Sequence, residues 1–454
     1  MAVNLNAVLD DRVISSQEKS FMENLQANIL KGHGREHVAM LFLAVRAVPS
    51  ARTFLRGFPL TDALTQDRQT KSFKKSRVPG DTIRLAFLSQ AGLAKFGHGR
   101  KFKGFAAFAA GMAADTGVLD GGNTDTWQPE FKQPVDVVLL LADNDEVALA
   151  RLVANTLDDC DGALAALFVQ AGRAYKNRDN EGVEHFGYVD GRSQPLMIQT
   201  ALDEERDKRR GGIANYDPSA PLNQFVLADP LKAGGFGSFF VFRKLEQNVA
   251  GFKASEAALA EQLGLTGADE ERAGAMVVGR FEDGTPLTLQ HREDGVPVVN
   301  DFSYAADADG SRCPLHGHIR KTNPRGASPG GLAFDKSVQM ARRGITYGCR
   351  MQHPDTSEFI DLPSDGVGLL FMSYQASIEG QFQFMQTQWA NSENFPGAGV
   401  GVDPVIGQGG AVAQTWLPTY GSTANPTSKL IHGFVTLKGG EYLFAPSISG
   451  LKAI

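Results

Sequence analysis

The chain has 454 residues, 42% hydrophobic and 21% charged, with a formal net charge of −6. That length exceeds one ordinary domain and allows a substantial core, while the mild acidity excludes a bulk electrostatic footprint for nucleic acid, so no nucleic-acid partner is expected. Cys160, Cys313 and Cys349 form neither a disulfide framework nor a C-x-x-C pair, and a reducing compartment is the expectation.

Residues 1–20, MAVNLNAVLDDRVISSQEKS, lack the basic segment and apolar stretch of a secretory leader. No run approaches the about 18 apolar residues that span a bilayer, so a cytoplasmic protein without a membrane partner is expected. The first strand signal is the apolar run 37–45, HVAMLFLAV, after the Gly-rich KGHG; the second is 82–88, whose alternation suits a half-buried strand. A third, 135–142, runs into DNDEVALARLVANTL. There Asp143 or Asn144 can cap a helix whose Val147, Ala150, Leu152 and Val153 lie largely on one face.

In segment 184–195, EHFGYVDGRSQP, Gly187 and Gly191 bracket Asp190. Two glycines around an acid suit a sharp turn or the close approach of backbone to a flat ligand. The plain alternative is an ordinary Asp-Gly turn. Segment 204–235, where the charged run EERDKRR gives way to Gly- and Pro-containing sequence, marks a boundary between two domains, 1–225 and 226–454.

Beyond it, strand-like GSFFVFRKL precedes helical SEAALAEQLG with Ser255 as N-cap, and AMVVGRF, GVGLLFMSYQ and FVTLKGGEYLF read as later strands. This rhythm predicts an α+β fold of two domains, each an antiparallel sheet with helices on one side. The stretch 389–429, rich in Gly, Asn, Pro and Ser, reads as a long wrapping loop.

Segment 312–325, RCPLHGHIRKTNPR, sets histidines before a dense group of cations. A neutral imidazole suits iron, and arginines suit the carboxylates of a porphyrin. A solvated face, a phosphate site, or zinc held by Cys313, His316 and His318 are the alternatives. In ARRGITYG, adjacent arginines point in different directions, so at most one of Arg342 and Arg343 enters a buried pocket. Leu369 and Phe371 share a strand face, where they line a cavity or fill a core.

Taken in this order, the segments resemble the dye-decolorising peroxidase superfamily. Its G-x-x-D-G signature is 187–191 here, extended by EHFG and SQP and joined downstream by HIRKTNPR and RRGI-x-YG. NLQANILKGHGR and YQASIEGQFQFMQTQWAN extend the resemblance over nearly the whole chain, which looks closer to the larger members of the family.

The resemblance implies two ferredoxin-like domains, each with a four-stranded antiparallel sheet, and haem b in a cavity of the second near its junction with the first. It implies His318 as the proximal iron ligand, Asp190 as the distal acid with Gly191 beside the haem, and Arg342 as the distal arginine. Arg325 becomes a propionate partner, and Leu369 and Phe371 shape the distal side. Glu379, from ASIEGQF, is the candidate to orient His318, with Asp301, Asp307 and Asp309 as rivals. His316 departs from the apolar or small residue that the family pattern carries there.

The implied activity is hydrogen-peroxide-dependent oxidation of phenols, dyes or similar aromatic donors through a ferryl intermediate. Heterolysis of the O–O bond moves a proton from one oxygen to the other while negative charge builds on the leaving oxygen. Asp190 would carry the proton and Arg342 would stabilise the charge. An ordinary carboxylate, with a pKa near 4, predicts an optimum shifted to acid. Trp127, Trp389, Trp416, Tyr188 and Tyr347 are candidate relays for oxidising bulky dyes at the surface. The competing readings are a haem-binding or haem-handling protein with incidental peroxidase activity, and a haem-free binding scaffold.

Overall fold

The computed structural model describes residues 3–207, 211–295, 298–410 and 412–454. Lys208–Arg210 of the charged run, and the first two residues of the segment read for a leader, lie outside the described residues.

Continuous apolar runs bounded by turns become buried strands. β1 (His37–Val45), β2 (Ile83–Ser89), β3 (Val137–Asp143) and β4 (Leu164–Arg173) form an antiparallel set in the order β4-β1-β3-β2. A second set contains β5 (Phe236–Gln247), the short β6 (Ala341–Arg342) and β7 (Ile345–Tyr347), β8 (Gly368–Gln375) and β9 (Val435–Ala445). Its order is β9-β5-β8-β7, with β6 also on β8.

Numbered within its own set, with β6 and β7 counted as one interrupted strand because both pair with β8, each order reads 4-1-3-2, the ferredoxin-like arrangement. The two sets make one continuous sheet because β9 pairs with β2 at Leu443↔Ser89 and Phe444↔Leu88. Phenylalanines fasten this seam: Phe87 stacks on Phe240 with ring centroids 4.2 Å apart, and Phe42 lies 5.1 Å from Phe242. Burying one such side chain stabilises the fold by about 1.5–3 kcal/mol.

The helix expected after β3 spans Glu146–Cys160, but its cap is Asp145, whose carboxylate accepts from Val147 N and Ala148 N, rather than Asp143 or Asn144. The helix after β5 spans Val249–Gln262 and is capped by Asn248, which leaves Ser255 inside it. AMVVGRF is not a strand. Its first four residues close the helix Glu271–Val278, which ends at Gly279 with φ 101°, and residues Arg272 to Val277 are buried on every side. Enclosure on all faces removes the periodicity that separates a short helix from a strand.

Alternation along β5 sends Arg243, Leu245 and Gln247 to one face. Leu369 and Phe371 of β8 pair with Leu245 and Arg243 in register and share that face, which walls the functional cavity. No helix among the described residues is long and apolar enough to cross a membrane.

Candidate active site

A cavity of about 510 Å³ lies between this sheet face, the hairpin carrying Asp190 and the helix carrying His318. Its size is in the range of sites that enclose a cofactor-sized ligand. Asp190, Gly191, His318, Arg342, Leu369 and Phe371 all border it; Arg325 and Glu379 do not.

The hairpin is closed by Glu184 N donating to Tyr188 O at 3.0 Å and Asp190 N donating to Gly182 O at 2.9 Å. Gly187 has φ 104°, and a Cβ there would lie 3.1 Å from the Glu282 carboxylate; Gly191 has φ 82°. The left-handed backbone at both positions favours glycine. Asp190 Oδ1 accepts from Gly191 N at 2.6 Å, and its Oδ2 has no hydrogen-bond partner among the described residues.

β6 holds Arg342 beside Ser373 of β8. Its backbone N donates to Gln194 Oε1 at 3.1 Å and its Nη2 to Arg192 O at 3.0 Å. Burial lowers its pKa, and the Asp190 carboxylate opposes that shift. The expectation that only one of the adjacent arginines reaches the pocket is corrected, since Arg343 also borders it. Arg343 is committed elsewhere: Nε donates to Asn28 O at 2.8 Å, Nη2 to Ile29 O at 3.0 Å and Nη1 to Arg342 O at 2.8 Å.

His318 is the first residue of the short helix His318–Thr322. Its Nδ1 donates to Asp403 Oδ2 at 2.9 Å, and Nε2 has no hydrogen-bond partner among the described residues. Asp403 is fully buried, with Oδ1 accepting from Val405 N at 2.8 Å and Ile406 N at 3.0 Å. Burial lowers the pKa of His318, but Asp403 outweighs it and the net shift is upward. Burial in turn pushes Asp403 up, yet His318 and the two N–H groups hold it below the ordinary carboxylate range.

The carboxylate on His318 is therefore Asp403, which replaces Glu379. Glu379 accepts from Ala107 N at 2.7 Å. The rivals are also committed: Asp301 to the backbone of residues 214–216, Asp307 to Arg320, and Asp309 to Ser311 N. His316 packs edge-on against Trp416 at 4.4 Å, away from the cavity, and burial holds its pKa down to about 3. No three His, Cys, Asp or Glu side chains gather as a metal site among the described residues, so zinc at Cys313, His316 and His318 has no support.

No family model matches the chain. It is 40% identical to the multifunctional dye peroxidase DyP2 of Amycolatopsis sp. over 100% of both chains, and 31% identical to a dye-decolorizing peroxidase of Exidia glandulosa over 94% of this chain and 86% of that one. The chain belongs to the dye-decolorising peroxidases. Solved structures agree: DyP2 from Amycolatopsis sp. superposes with a TM-score of 0.92 at 39% identity over 100% of both chains. The DyP-type peroxidase of Anabaena sp. gives 0.88 at 34% identity over 96% of this chain and 94% of that one.

The cavity of this peroxidase has a further cation that sequence reasoning missed. Arg325 is enclosed between the rings of Tyr216 and Phe302 and donates to the Asn300 and Phe302 carbonyls, so it stands behind the wall. Arg280 borders the cavity instead. Its Nη2 reaches Ser193 Oγ at 2.9 Å and Asn300 Oδ1 at 2.7 Å, and Arg325 Nη2 reaches the same two atoms at 2.6 and 2.9 Å. Burial and then Arg325 push Arg280 down to about 9. Neither arginine has a carboxylate partner among the described residues. Two buried, adjacent guanidinium groups without an anion fit the carboxylates of haem. Arg280 ends AMVVGRF, where a strand reading concealed it.

Trp127, Trp389, Trp416, Tyr188 and Tyr347 are all buried, so none presents a ring at the surface. In the peroxidase, Asp403→Asn is expected to weaken haem affinity by about 10- to 100-fold, because the partner of a ligating imidazole fixes its tautomer and basicity. Titration of the haem-free protein, followed at the Soret band, measures this.

Proposed function

We propose that this peroxidase binds b-type haem through His318 Nε2 and activates hydrogen peroxide with Asp190 and Arg342 to oxidise small aromatic donors such as phenols and dyes. The observation that carries the reading is the union, in one cavity, of an unpartnered imidazole nitrogen, a carboxylate oxygen free to take a proton and a half-buried guanidinium. None of the three cysteines borders the cavity, which favours haem held without a thioether link. We also read residues 1–225 and 226–454 as two domains, with segments of both walling the site.

Haem, when bound, supplies the iron and the redox chemistry of peroxide cleavage. Asp403 keeps the proton of His318 on Nδ1 and leaves Nε2 to the metal. Asp190 Oδ2 takes a proton from peroxide and returns it to the leaving oxygen, while the Gly191 N–H holds Oδ1 in place. Arg342 Nε and Nη1, which no backbone carbonyl claims, stabilise the negative charge on that oxygen. Leu369 and Phe371 exclude water, which strengthens both interactions. Arg280, backed by Arg325, holds the haem carboxylates.

The test is a haem titration followed by turnover of a phenol with hydrogen peroxide. One equivalent of haem with a Soret band, and peroxide-dependent turnover, is the expected result; no haem uptake, or uptake without turnover, overturns the reading. Arg280→Leu is expected to raise the Kd for haem at least about tenfold, since a hydrogen bond to a charged group contributes about 1.5–3 kcal/mol.

A further inference from the structure

Behind the cavity wall stands a tyrosine without a role so far. Tyr442 of β9 pairs with Val241 of β5, so by alternation it shares the sheet face of Arg243 and Phe371. It is fully buried, and its ring lies 6.0 Å from that of Phe382 in an edge contact. Phe382 borders the cavity and lies 6.0 Å from Phe371, which borders it too. A single ring therefore separates Tyr442 from the space that haem would fill.

On its other side Tyr442 meets the surface. Its hydroxyl donates to Asp115 Oδ2 at 2.7 Å, and Gln383 Nε2 donates to the same oxygen at 2.9 Å. Asp115 is half-buried, in a segment whose Ala113, Ala114, Thr116 and Gly117 are exposed. No cation pairs with this carboxylate among the described residues.

Other tyrosines lack such an outlet. Tyr304, Tyr347 and Tyr374 have buried hydroxyls without a partner, and Tyr175 and Tyr420 donate to carbonyls. Tyr188 does donate to a carboxylate, Glu256, but Lys253 holds that carboxylate at 2.9 Å. The distinction matters because a buried phenol that loses an electron must also lose its proton. If it kept the proton, a positive charge would be left unpaired in the interior, close to Arg243, whose guanidinium lies 5.5 Å over the Phe382 ring. A carbonyl cannot take that proton; the Asp115 carboxylate can.

We propose that Tyr442 is a redox relay that carries electrons to the haem cavity from phenolic donors too bulky to enter it, docked over residues 113–117, with Asp115 as its proton acceptor. One electron leaves Tyr442 for the peroxide-oxidised cofactor, while the phenolic O–H breaks and its proton passes to Asp115 Oδ2. The donor then returns one electron to Tyr442, the proton comes back from Asp115, and the donor's own phenolic proton goes to solvent. The donor leaves as a neutral phenoxyl radical, and two such cycles match the two electrons that one peroxide takes up. The inference rests on the peroxidase reading of the cavity, which supplies the oxidant.

The experiment is freeze-quench electron paramagnetic resonance of the haem-loaded enzyme after hydrogen peroxide without donor, with ordinary and ring-deuterated tyrosine incorporated. A radical whose signal narrows on deuteration and is absent from Tyr442→Phe is the expected result. No tyrosyl signal, or the same signal in Tyr442→Phe, overturns the proposal. Asp115→Asn keeps an oxygen for the hydroxyl to bond but none that takes a proton, so it should lose the signal as well; a wild-type yield overturns the role of Asp115. In turnover, Tyr442→Phe should lower kcat/KM for a phenol tethered to a polymer by at least about tenfold, while the same phenol free in solution changes little. Equal losses with both would mark a structural effect and overturn the relay. Failure to take up haem would sink the peroxidase reading instead, and flash oxidation of the haem-free chain by a ruthenium(III) polypyridyl complex still judges Tyr442. A tyrosyl absorbance smaller in Tyr442→Phe and in Asp115→Asn than in the wild type supports the pair, and equal yields overturn it.

Discussion

Asp190→Asn is expected to slow the reaction with hydrogen peroxide by about 10²- to 10⁴-fold while leaving haem affinity near the wild-type value. The amide oxygen can still accept from Gly191 N, so the turn between Gly187 and Gly191 keeps its shape. What disappears is an oxygen able to take a proton, since the amide nitrogen offers only donors. Stopped-flow absorbance at the Soret band reads the step directly, and an unchanged rate constant would remove Asp190 from the mechanism.

Arg342→Leu is expected to cost about 10²- to 10³-fold in the same step, the magnitude associated with removing one preorganised donor aimed at developing charge. Arg343→Leu provides the contrast. Its guanidinium is bound to three backbone carbonyls, two of them in the N-terminal loop at Asn28 and Ile29. Its loss should lower the melting temperature and loosen haem retention while the peroxide rate constant of the loaded protein changes far less. Equal loss of rate in both variants would contradict the assignment of charge stabilisation to Arg342.

The strands were legible because their apolar runs are continuous: residues 37–45 form β1, and GSFFVFRKL and FVTLKGGEYLF lie almost wholly within β5 and β9. The motifs that bring Asp190, His318 and Arg342 together were legible too, because each sits in a short segment whose chemistry is local. Pairings set by tertiary structure were not. Asp403 lies 85 residues beyond His318 in a stretch with no periodicity, so nothing local ties the two together. Arg280 follows an apolar run whose helical character depends on burial from every side. Choosing between Arg342 and Arg343 required knowing which carbonyls the N-terminal loop brings near.

The stretch 389–429 is the part of this chain that an engineer seeking a smaller enzyme would trim first, since it contributes little to the main sheet. Asp403 makes that a poor economy. A deletion there could spare every strand of the sheet, give a normal circular dichroism spectrum and still leave His318 without the carboxylate that holds its tautomer. Shortened variants should therefore be screened for cofactor retention before they are ranked by melting temperature.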